Sequence, residues 1–159
     1  MKTINKISAI FIFTLSLFAF TSCTEDGDYN GKCFLEITFE GETKSEVIYI
    51  GSFGTEMDGY CFIQNSLDDF YITLTAYTNL DKLAATPVGD YRLSPENEWK
   101  NMDLDVVYIF EGEWNYCRDG KHTVTSISKD EDGVFVEGNF SGTLEDGRSL
   151  SGRYRFLVD

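Results

Sequence analysis

Basic residues are scarce in this chain: 13 Lys and Arg stand against 27 Asp and Glu, a formal net charge of −14. Nucleic-acid affinity rests on a basic footprint, so a phosphate backbone is excluded as a partner. An anionic membrane surface would repel the folded body for the same reason. Histidine is almost missing. His122 stands alone, with neither a Gly-x-Ser-x-Gly elbow nor a Cys-His motif to make it the base of a triad. The 4 cysteines never form the close Cys-x-x-Cys or Cys/His pairs that a zinc site requires, and nothing in the sequence assigns a metal or a cofactor. Helical periodicity is nearly absent as well. Its best window, Asn79 to Ala85, offers two turns at most and stops at Pro87. Repeats of fixed period and low-complexity tracts are missing. Apolar surface is abundant, however: 42% hydrophobic and 15% aromatic residues supply what a strongly charged chain needs to fold rather than stay disordered.

The only long apolar run is N-terminal. Lys2 and Lys6 precede Ala9 to Phe20, which is interrupted only by Thr14 and Ser16 and is too short for the roughly 20 residues a spanning helix needs. The run ends in Phe20-Thr21-Ser22-Cys23, which resembles a lipobox with Phe20 where leucine is usual. The resemblance implies cleavage before Cys23 and a thioether-linked diacylglycerol on its thiol, with residues 1–22 as the signal peptide. An ordinary secretory signal with an incidental Cys23 is the competing reading. Losing Lys2 and Lys6 with the leader takes Lys and Arg from 13 to 11 against 27 acids, and the formal charge from −14 to −16. Membrane contact is therefore expected through the lipid alone. Residues 23–31, polar and turn-rich from Asp26 to Gly31, read as an acidic tether. Residues 32–159 then form a single domain large enough to bury a core. Export makes disulfides feasible among Cys33, Cys61 and Cys117; unpaired core thiols are the equal alternative.

Within the domain the dominant signal has period two. Leu150, Tyr154, Phe156 and Val158 occupy one face of a run whose other face carries Ser151, Arg153 and Arg155. The preceding run alternates Val134, Val136 and Phe140 with Glu137, Asn139 and Ser141, and Glu145-Asp146-Gly147 joins the two into a hairpin. Upstream, Cys33, Leu35, Ile37 and Phe39 alternate with Glu36, Thr38 and Glu40, and Gly41-Glu42 turns the chain into a run from Glu46 to Phe53. Further strand-like runs are Tyr60–Gln64, Phe70–Tyr77, Asp90–Leu93, Val106–Phe110 and His122–Ile127. Turns are expected at Met57-Asp58-Gly59, Leu67-Asp68-Asp69, Arg118-Asp119-Gly120 and Asp130 to Gly133. About eight or nine strands with this spacing predict an all-β antiparallel β-sandwich, with a lipocalin-like β-barrel as the alternative.

Val88-Gly89-Asp90-Tyr91-Arg92-Leu93, Gly138-Asn139-Phe140-Ser141-Gly142-Thr143-Leu144 and Ser151-Gly152-Arg153-Tyr154-Arg155-Phe156 together resemble the C-terminal half of small Bacteroidota-type outer-membrane lipoproteins of unknown function. A Gly-x-Tyr-x-Leu element and paired Gly-x-Phe strands carry the likeness, over roughly residues 85–159. It implies an antiparallel β domain on a lipid anchor in the outer membrane, and no activity. In such lipoproteins acidic residues directly after the lipidated cysteine can resemble a surface-export signal, which Thr24-Glu25-Asp26-Gly27-Asp28 fits loosely, so the expected address is the outer membrane at either its periplasmic face or the cell surface.

Four constellations bear on chemistry. Asp26, Asp28, Asn30 and Gly31 reproduce the first half of a calcium loop, but position twelve is Ile37 in place of the bidentate Glu. A solvated tether explains them as well. Asp130 and Asp132 are a weaker cation pair that a hairpin turn also explains. Glu111 and Glu113, two apart on an expected strand, would share a face at roughly 7 Å, near the separation of glycosidase carboxylates. Trp99, in the polar loop Ser94 to Asp103, and Trp114 and Tyr116, approaching Arg118-Asp119-Gly120, offer flat aromatic faces of the kind that stack on sugar rings or anchor protein partners. The competing reading has both tryptophans capping the ends of the core. The sequence thus predicts a non-enzymatic binding or interaction module of the cell envelope, for a glycan or an envelope protein, including an immunity or inhibitor role against a basic partner. A hydrolase using Glu111 and Glu113 is the alternative.

Overall fold

The computed structural model describes residues 33–48, 58–94, 96 and 98–159. The leader, Cys23, the acidic tether and the half calcium loop lie outside them. The described residues form nine strands and one short helix, in chain order: β1 Cys33–Phe39, β2 Glu42–Ile48, β3 Tyr60–Leu67, β4 Phe70–Tyr77, α1 Leu80–Ala84, β5 Gly89–Tyr91, β6 Leu104–Phe110, β7 Glu113–Lys129, β8 Val134–Leu144 and β9 Ser149–Val158. All strand pairs are antiparallel, in the order β2-β1-β9-β8-β7-β6-β4-β3, with β5 paired to the far half of β7. The all-β antiparallel expectation holds, and the strands form one continuous sheet curled into a half-barrel. Such a near-sequential meander is the order an up-and-down barrel uses.

The curl brings the sheet's two ends together. Lys44 of β2 reaches Asp68 of the β3–β4 turn at 2.5 Å, and the Phe39 ring meets Phe70 and Tyr108 at centroid distances of 5.2 and 5.0 Å. Inward side chains from both ends fill one core, from Leu35 and Ile37 through Ile72, Leu74 and Val106 to Phe140, Tyr154 and Phe156. The helix starts where sequence predicts: Asn79 caps it, its Oδ1 accepting the Lys82 amide at 2.9 Å, and Leu83 points inward, fully buried.

The C-terminal hairpin pairs as its alternation predicts, with Leu150, Tyr154, Phe156 and Val158 all buried. Its glycines explain the Gly-x-Phe pattern. Gly138 lies opposite Tyr154 and Phe140 opposite Gly152, so each aromatic ring lies over the partner strand's glycine. A Cβ on Gly138 would sit 2.6 Å from the Tyr154 hydroxyl oxygen, and one on Gly152 would sit 2.4 Å from Cζ of Phe140.

Several boundaries differ from expectation. Arg118-Asp119-Gly120 is no turn. It is a register shift inside the 17-residue β7, where a bulge bends a strand without ending it. The first hairpin turns at Glu40-Gly41, both with positive φ (51° and 82°), and β2 begins at Glu42. No disulfide joins Cys33, Cys61 and Cys117, and Cys33 and Cys117 are buried thiols. Burial pushes Cys117 up to about 11, with Asp105 and Asp119 adding to the rise.

Candidate functional site

Outward positions on four neighbouring strands build a groove. Cross-strand partners share a face, and the register places Phe62 beside Thr75, Gln64 beside Thr73 and Ser66 beside Tyr71 on β3 and β4. Asp105 and Val107 of β6 continue the last two of these rows, and Trp114 stands beyond them on β7, paired with Ile109. The resulting groove holds about 560 Å³, with Phe62, Tyr71, Val107, Trp99 and Trp114 as its apolar surfaces and Gln64, Ser66, Thr73 and Asp105 as polar ones. Trp114 is 58% exposed and Tyr71 47%, an unusual display of large rings on the outside of a sheet.

Trp99 reaches the groove from the 94–103 loop because an ion pair clamps its neighbours. Arg92 donates from Nε to Oδ1 of buried Asp103 at 3.0 Å and to the Glu98 carbonyl, and the Lys100 amide donates to Asp103 Oδ2 at 2.6 Å. Held at Glu98 and Lys100, the intervening indole packs edge-on against Phe62, 6.0 Å between centroids at 85°. The loop end is woven against β4 by Met102 N to Thr75 O and Thr75 N to Asp103 O, at 2.8 and 2.9 Å. Asp105 at the groove floor is raised above the ordinary carboxylate range by burial, against the opposing pulls of the Ser94 hydroxyl and Arg118.

The structure therefore brings Trp99 and Trp114 into one groove. Neither belongs to the buried core, so neither caps it. Tyr116 does not line the groove. Its ring adjoins Trp114 at 6.4 Å and carries the Arg118 guanidinium at 4.4 Å, while Arg118 also binds Glu145 at 3.0 Å; the tyrosine is a shelf for that staple. Sequence reasoning missed Phe62, Tyr71, Gln64, Thr73 and Asp105. The available signal was the aromatic at the outward position of the Phe70–Tyr77 strand.

Other candidates fare differently. Glu111 and Glu113 do not share a strand face: Glu111 and Gly112 form the two-residue β6–β7 turn, both with positive φ (52° and 85°), as a type I′ hairpin demands. The pairing geometry that motivated a carboxylate dyad is therefore not present. Asp130 and Asp132 belong to the β7–β8 turn, where the Asp132 amide donates to Asp130 Oδ1 at 2.8 Å, and no group of three metal-ligating side chains occurs among the described residues. His122 is fully buried, its Nε2 2.8 Å from the Tyr154 hydroxyl. Burial pushes the imidazole down to about 4 and the Tyr154 phenol well above its ordinary value, so both are neutral in the fold. Comparison with protein-family models, curated proteins and solved structures finds no match for this chain.

Proposed function

We propose that the protein is a lipid-anchored binding module of the cell envelope whose outer-face groove takes a sugar chain. The carrying observation is the convergence of Trp99 and Trp114 on a groove lined by polar side chains. Aromatic faces stack on the C–H faces of sugar rings, while Gln64, Thr73, Ser66 and Asp105 supply the fixed donors and acceptors that hydroxyl groups need. A protein interface would more often bring an apolar centre with a polar rim; here the polar groups share the groove with the rings. The lipobox-like sequence ending at Cys23 supports the lipid tether, and the outer membrane is the address the lipoprotein resemblance implies. Strong negative charge argues against nucleic acid.

Retention on insoluble polysaccharides, followed by elution with soluble oligosaccharides, tests the groove. The parent is expected to be retained by at least one neutral polysaccharide and Trp99→Ala and Trp114→Ala to be released. Capture of an envelope protein that both substitutions abolish, without retention on any polysaccharide, would replace the glycan by a protein partner. Metabolic labelling with a fatty acid tests the anchor: Cys23→Ser is expected to abolish incorporation, and persistent labelling would refute it.

A further inference from the structure

Of the 13 Lys and Arg residues, Lys2, Lys6 and Lys32 lie outside the described residues. Among the remaining ten, eight form an ion pair with a carboxylate. The two that do not, Lys82 and Lys100, line the same pocket of about 490 Å³, together with Tyr60, Tyr77, Tyr91 and Asn101. In a chain with twice as many acids as bases, two uncompensated ammonium groups meeting in one concavity call for an explanation. Three acids beside the lining residues are engaged elsewhere. Asp81 binds Lys129 at 2.6 Å, Asp90 binds Lys121 at 3.1 Å, and Asp103 binds Arg92.

The pocket is also built. Tyr60 and Tyr77 stack as cross-strand partners, 5.1 Å between centroids at 20°, giving a paired aromatic wall. Lys82 Nζ lies 3.7 Å from the Tyr77 ring centroid, a contact that holds the ammonium in place without neutralising it. Asn101 joins the two sides: its Oδ1 accepts the Tyr77 amide at 2.9 Å and its Nδ2 donates to Thr86 Oγ1 at 3.1 Å. The backbone of Lys100 is fixed by the Asp103 clamp described above.

We propose that this pocket binds a small organic anion in which a carboxylate or phosphate is carried on a ring, the charge meeting Lys82 and Lys100 and the ring lying on the tyrosine wall. A net charge of −14 repels anions at long range, so any anion site must be made locally, by cations left without carboxylates. The proposal stands apart from the groove. None of its lining residues is shared with the groove, although Trp99 and Lys100 are chain neighbours.

Titrations of the isotopically labelled protein with glucuronate, glucose 6-phosphate and glucose, followed by amide and tyrosine-ring NMR, test it. Saturable shifts centred on Tyr60, Tyr77, Lys82 and Asn101 are expected with at least one of the two anions and not with glucose. The anion that binds distinguishes carboxylate from phosphate. Lys82→Gln combined with Lys100→Gln should weaken binding at least tenfold; both side chains are exposed, and the variant's unchanged amide spectrum would show that it folds. Trp114→Ala should leave this binding intact whether or not the groove takes sugar. Binding of neither anion, equal binding of glucose, shifts centred elsewhere, or an unaltered isotherm in the double variant would each overturn the proposal.

Discussion

The two halves of the sheet have opposite outer faces. On β1, β9 and β8 the outward positions are given to ion pairs: Arg153 grips Glu36 through two bonds of 2.9 and 3.1 Å, Arg155 reaches Glu137 at 2.6 Å, and their guanidinium groups cover Phe34 and Phe135 at 5.6 and 4.4 Å. Arginine stems and forks thus roof the apolar rings on that side. On β3, β4, β6 and the start of β7 the same positions carry Phe62, Tyr71, Val107 and Trp114, and no guanidinium lies over these four rings or side chains among the described residues. Inside, the halves share one core; outside, one is covered and the other offered. A face of exposed rings does nothing for stability that covered rings would not do better, so the open half is the one to assign to recognition.

This contrast can be broken by substitution, and the largest effects should fall inside the covered half. Phe156 is buried and stacked on Tyr154 at 4.5 Å; its truncation to alanine should cost about 3–5 kcal/mol in a denaturant titration. The His122–Tyr154 pair predicts a pH dependence of similar rank. With an unfolded value near 6.5 and a folded value of about 4, the unfolded chain binds the proton first on acidification. The stability from keeping His122 neutral is complete above about pH 6.5, falls between there and about pH 4, and amounts to a few kcal/mol. A His122→Gln variant should lose stability at pH 7 yet show a shallower decline between pH 6.5 and 4.5. Third, Gly138→Ala must push against the Tyr154 ring and the Thr123 carbonyl, at 2.7 and 2.8 Å from the new methyl, and should cost about 1–3 kcal/mol as overpacking does. Smallest of all, Trp114→Ala on the open half should move the melting transition by no more than about 0.5 kcal/mol equivalent, while weakening any groove ligand. A large loss there would make the open face structural and erase the contrast.

Legibility in the sequence follows the same division. The covered half announces itself, because strict alternation in Leu150 to Val158 and a Glu145-Asp146-Gly147 turn are local signals that tertiary context only confirms. β7 was illegible as one strand because Arg118-Asp119-Gly120 has the composition of a turn, whereas the bulge and the tight fit of Gly120 under the Ser141 carbonyl, 2.3 Å from a would-be Cβ, are long-range facts. The groove was half legible. Trp99 and Trp114 stood out as large rings in polar contexts, but Phe62, Tyr71 and Asp105 become neighbours only through the register of β3, β4 and β6. Tyr116 misled because nothing local shows that Arg118 will cover it, and Glu111 misled because alternation counted through a two-residue turn.

Both tryptophans of the chain line the groove, so indole emission reports on that site alone. Titrating the parent protein with a panel of neutral oligosaccharides while recording tryptophan fluorescence is therefore the most direct test. At least one oligosaccharide should change the emission saturably, with the midpoint shifted to higher concentration in Trp114→Ala and Trp99→Ala. An oligosaccharide that binds by calorimetry and leaves the emission untouched, or a panel that produces no saturable change, would contradict the assignment of the open face to sugar recognition.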